Sequence, residues 1–127
     1  MTDEILDVVV LAEIKTKPDA DQAEVDKALI EFIDWVRENE QGTLIYSAHR
    51  SKKDPTKIVF YEAYRRQDAL DGHMQSSAFK EFGRKILNHI DPSATKIEQF
   101  QLIAGVTSVM ERTADSPNMP EEVPPRD

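Results

Sequence analysis

The chain has no cysteine, one tryptophan, four glycines and no long apolar run. Without cysteine there can be no disulfide, thiolate metal site or cysteine nucleophile; this usage fits a reducing compartment, so the cytoplasm is the expected location. The longest apolar stretch, VVVLA, is far too short to span a bilayer, and the opening residues MTDEILD are acidic where a secretory signal would be basic. Neither export nor membrane anchoring is expected. Positive charge is also scarce. Sixteen Lys and Arg against 24 Asp and Glu give a formal charge of -8, and the cations are scattered rather than gathered in a stripe, so no nucleic-acid partner is expected. The glycines and serines form no GxGxxG, P-loop or GxSxG motif. His49, His73 and His89 lack any HExxH-like spacing, so no dedicated metal site is expected.

What is present is enough for one core in 127 residues. Residues 5 to 15 alternate with apolar side chains on both faces: Leu6, Val8, Val10 and Ile14 on one, Ile5, Val9 and Leu11 on the other. Asp21 and Glu24 stand in capping-box spacing ahead of a helix running to about Glu38, with Val25, Leu29, Phe32, Ile33 and Val36 as its buried stripe. Strands follow near 43 to 50 and 57 to 64, joined by SKKDPT as an antiparallel hairpin; Ile58, Phe60, Glu62 and Tyr64 share one face of the second. A short helix over RQDALDGHM and a longer one over SSAFKEFGRKILNHI come next. Ser77 is the expected cap, Phe79, Phe82, Ile86, Leu87 and Ile90 are the expected inward face, and a last strand spans about 95 to 103.

This order gives an α+β, ferredoxin-like split βαβ fold, with a four-stranded antiparallel sheet and helices on one face. The domain is expected to occupy residues 1 to 105. The remainder, 106 to 127, holds four of the seven prolines and few large apolar residues, and reads as a tail that is flexible or ordered by a partner. Either face left open by the helices still carries large apolar side chains. Pairing sheet on sheet in a twofold homodimer is the closed solution, giving a dimeric α/β barrel.

His73 falls on or beside the inward stripe of its short helix. It is either a core histidine whose nitrogens are satisfied by backbone or a carboxylate, or a base facing a water-poor chamber with room for a guest. Tyr46 and Tyr64 lie on neighbouring strands, and Glu62 shares a face with Tyr64 in an apolar run, where it must be paired, with Arg65 for example, or held for a purpose. Met74 and Phe79 would line the space His73 faces. His49, Arg50 and His89 read as solvated, and Trp35 as packing.

Three segments, VVLAEIKTKPD, GTLIYSAHRSKKDPTKIVFYEAY and ALDGHMQSSAFKEF, together resemble the antibiotic biosynthesis monooxygenase domain family, which includes small quinol monooxygenases. The strongest piece is the hairpin glutamate followed by HxxSxxF, formed by His73, Ser76 and Phe79. The resemblance covers about residues 5 to 105. It implies a dimeric ferredoxin-like fold whose members oxidise phenols or quinols with molecular oxygen and no flavin, haem or metal. By position, His73 would be the base or anchor, Tyr46 and Tyr64 would orient the substrate ring, and Glu62 would tune a neighbour. Tyr64 stands where the family carries tryptophan, and Ile14 where haem-degrading members carry asparagine, so haem degradation is not expected. Two other functions use the same elements: isomerisation of a small oxygenated metabolite, and a non-catalytic dimeric binding module.

Overall fold

In a computed structural model, residues 8–106 are described. Strand register decides which face the helices cover. β1 (Val9–Lys15) pairs antiparallel with β3 (Lys57–Tyr64), setting Val10 opposite Glu62, Ala12 opposite Phe60 and Ile14 opposite Ile58. β2 (Thr43–Arg50) pairs with the other edge of β3, so Tyr46 and Ala48 join the same face, and β4 (Lys96–Phe100) pairs with the free side of β1. The order β2-β3-β1-β4 is the ferredoxin-like split βαβ arrangement expected from the sequence.

Three helices lie on that face: α1 (Gln22–Asn39), α2 (Gln67–Gln75) and α3 (Ser77–Ile86). Asp21 caps α1 by accepting from the amides of Ala23 and Glu24, a contact worth about 1 kcal/mol. Val25, Ala28, Leu29, Phe32 and Val36 of α1 pack with Phe82 and Ile86 of α3 over Ile14, Ile58 and Phe60. Ile33 is only half-buried, displaced from the expected stripe by Ala28. Val8, Val10, Tyr64 and Leu70 form a second cluster beneath α2.

The last helix differs from expectation. It stops at Ile86 and tightens into a single 3-10 turn at Leu87–His89, which leaves Leu87 exposed instead of inward. Its cap is Ser76, not Ser77: the Ser76 hydroxyl accepts from the Phe79 amide at 3.0 Å. Arg50 is not free in solvent either, because it forms a two-pronged contact with Asp26 and reaches Gln22, tying the end of β2 to α1.

The opposite sheet face is apolar. Val9 and Ala63 are buried there under Leu44, Ile45 and Leu102, whereas Leu11, Val59, Tyr61 and Phe100 remain exposed. No described helix is long and apolar enough to cross a membrane. Residues 107 to 127 of the expected tail, and Ile5 and Leu6 of the expected first strand, lie outside the described residues.

Candidate active site

The HxxSxxF spacing has a local structural cause. Ser76 separates α2 from α3, and its hydroxyl donates to the His73 carbonyl at 3.0 Å while accepting from the Phe79 amide. One small side chain therefore ends the first helix and starts the second. His73 sits in the last turn of α2 and points inward, only 2% exposed. Its ring lies 4.8 Å from Tyr46, 5.3 Å from Phe79, 5.4 Å from Tyr64 and 5.5 Å from Phe32, centroid to centroid.

Its Nδ1 lies 2.8 Å from Oε1 of Glu40, a residue the sequence reading did not single out. Glu40 caps the C-terminal end of α1. A carboxylate can only accept, so this contact places a proton on Nδ1. One signal could have exposed Glu40. Acidic residues are unfavourable at a helix C-terminus, where the peptide dipoles already place negative charge, so an acid there calls for a cationic or proton-donating partner.

The turn holding Glu40 is pinned on both sides. The Thr43 hydroxyl donates to the same Oε1 at 2.6 Å, and the Arg65 amide donates to the Gly42 carbonyl at 2.8 Å. Gly42 also permits a close approach: a Cβ there would fall 2.7 Å from the Cβ of Ala69 in α2.

Glu62 is buried and accepts from the Tyr64 hydroxyl at 2.7 Å, not from Arg65, which is exposed. Burial pushes its carboxyl up to about 7; the Tyr64 hydrogen bond opposes that rise and the charge of Glu40 adds to it. Burial likewise pushes the phenols of Tyr46 and Tyr64 far above their ordinary value, assisted by the charge of Glu62. Both tyrosines therefore keep their protons at neutral pH, and Tyr64 donates its own to Glu62. The result is one imidazole anchored by a carboxylate and surrounded by aromatic faces, close to a carboxyl that titrates near neutrality.

The structure brings His73, Tyr46, Tyr64, Phe79 and Glu62 into one region beneath the helices. Met74 does not join them. One residue beyond His73, it is rotated about 100° around the helix and stands 40% exposed. The expected open chamber also differs: four rings pack against the imidazole. A cavity of about 470 Å³ lies instead on the open sheet face, between Leu11, Tyr61, Ile97 and Phe100, and neither it nor three smaller clefts is lined by His73. His49 contacts Ser47 on the exposed edge, His89 lies 3.6 Å from Glu24, and Trp35 stacks on Phe32 as packing.

Residues 7–85 match the family model described as antibiotic biosynthesis monooxygenase. An uncharacterized protein of Synechocystis is 32% identical over 78 residues, which are 61% of this chain; the chain spans about half the length of that curated relative. A candidate antibiotic biosynthesis monooxygenase of Caulobacter crescentus has a similar crystal structure, with a TM-score of 0.71 and 29% identity, covering 76% of this chain and 90% of that one. A Pseudomonas aeruginosa protein superimposes with a TM-score of 0.67 at 25% identity, covering 76% and 94% of the two chains. The match takes in β1 through Lys85 of α3, including His73, Tyr46, Tyr64 and Glu62: the chain belongs to the antibiotic biosynthesis monooxygenase family.

Proposed function

We propose that this protein is a monooxygenase that oxidises a small phenolic or quinol-type aromatic substrate with molecular oxygen, without flavin, haem or metal, and that it works as a homodimer. The observation carrying this reading is the buried His73 imidazole, held by a carboxylate among four aromatic rings. A neutral imidazole is suited to take a phenolic proton, which raises the electron density of the ring and favours electron transfer to oxygen. For a quinol the balance closes without an added reductant. A ring C–H bond gives way to C–O, the second oxygen atom leaves as water, and the substrate supplies all four electrons, ending as a hydroxyquinone. Half-buried Tyr46 and Phe79 are the side chains whose rotation would admit the guest ring.

The tight packing around His73 favours a second reading, a non-catalytic module in which the imidazole is only a structural partner of Glu40. Oxygen consumption across a panel of hydroquinones and phenols separates the readings. The oxygenase should take up one O2 per quinol converted. Conversion without uptake would identify an isomerase, and binding without conversion a module.

The dimer reading rests on the apolar open sheet face. Light scattering should give twice the 14.5 kDa mass of one chain, and Tyr61→Lys, placing a charge in the middle of that face, should give the single-chain mass. A folded wild-type protein that is monomeric at micromolar concentration would remove the homodimer from the proposal.

A further inference from the structure

We propose that Glu40 is the positioning residue of the site: it fixes His73 as the Nδ1–H tautomer, directs Nε2 to the substrate and stabilises the imidazolium formed when the proton is taken. This rests on the reading of His73 as a base. The inference begins from a pair 33 residues apart in sequence, joined by a 2.8 Å hydrogen bond in a nearly dry interior. Glu40 is itself held. Its amide donates to the Val36 carbonyl, its carbonyl accepts from the Thr43 amide, and its Oε1 accepts from the Thr43 hydroxyl. An acceptor fixed at so many points fixes the ring that donates to it.

The other carboxylate oxygen gives the second observation. Oε2 is buried and has no hydrogen-bond partner among the described residues. A neutral amide would accept from Nδ1–H as well and would bury no charge, leaving an unpaired NH2 where Oε2 now lies. A carboxylate gains over an amide when its neighbour becomes positive, which is the condition a base passes through during turnover. The charge also lies at the end of α1, where the helix dipole disfavours it. An imidazolium beside it relieves both.

Two variants separate positioning from packing. Glu40→Gln keeps an acceptor for Nδ1–H but no charge; Glu40→Ala removes both. Two-bond 1H–15N correlation spectra, recorded where the ring is neutral, report the tautomer of His73, and only three histidines need be assigned. The wild type and Glu40→Gln should display the Nδ1–H pattern, and Glu40→Ala should lose it. With a quinol found to be a substrate, Glu40→Gln should lower kcat by about 10- to 100-fold with KM within twofold, part of what a positioned base contributes. A wild-type Nε2–H tautomer, an unchanged tautomer in Glu40→Ala, or full kcat in Glu40→Gln overturns the proposal. If no quinol is turned over, the oxygenase reading fails, and the tautomer spectra still decide whether Glu40 sets the ring.

Discussion

His73→Asn is expected to lower quinol turnover by about 10²- to 10⁴-fold while leaving the protein folded, the range a positioned general base supplies. Asparagine is the informative replacement because its Nδ2 lies close to the position of the imidazole Nδ1. It can donate to Glu40 Oε1, now 2.8 Å from the ring, so the buried carboxylate keeps a partner. What disappears is Nε2 and its lone pair. Alanine would confound two effects, since leaving a buried charge unpaired costs about 3–5 kcal/mol and could unfold the chain by itself. Steady-state kinetics, with circular dichroism as the control for folding, read the outcome. A folded His73→Asn protein with undiminished turnover removes the imidazole from the mechanism.

Glu62→Gln is expected to stabilise the protein above neutral pH and to change little in acid. In the folded state the Glu62 carboxyl is raised from 4.5 to about 7, chiefly by burial. A group whose folded pKa lies above its unfolded value binds its proton more tightly in the native state. Its contribution is therefore fully present below about 4.5 and is lost as pH rises through the folded value near 7. The loss across that window is on the order of 3 kcal/mol. Glutamine has no proton to lose, and its carbonyl can still accept from the Tyr64 hydroxyl, so the slope should be absent in the variant. Urea unfolding at pH 4 and pH 8 measures it. Parallel pH profiles for the two proteins would show that Glu62 is not held protonated by its surroundings.

Much of this architecture was legible because apolar periodicity and strand register are local properties. The alternation of Ile58, Phe60, Glu62 and Tyr64 placed all four on the helix-covered face, and the hairpin ends at Arg50 and Lys57 fell where SKKDPT demanded. The end of α3 was harder. Leu87 fits helical spacing, but the backbone tightens there and turns it outward. Met74 is adjacent to His73 in sequence but not in direction, because a helix separates neighbours by about 100°. Nothing within a few residues of Glu40 names its partner, and only the long-range packing of α2 on the turn after α1 brings the two together. Nor does side-chain periodicity carry volume: it put aromatic rings around the imidazole without indicating how closely they would fill the space.

The bare backbone at position 42 sets a distance it has no chemical part in. Because Gly42 carries only hydrogen there, its turn comes to rest against Ala69, one helical turn below the imidazole on the same rigid rod. A single methyl group would act as a shim, prising the rod outward and lengthening the gap between ring and acid. The reach of the imidazole towards its carboxylate is thus gauged by a residue that never touches it.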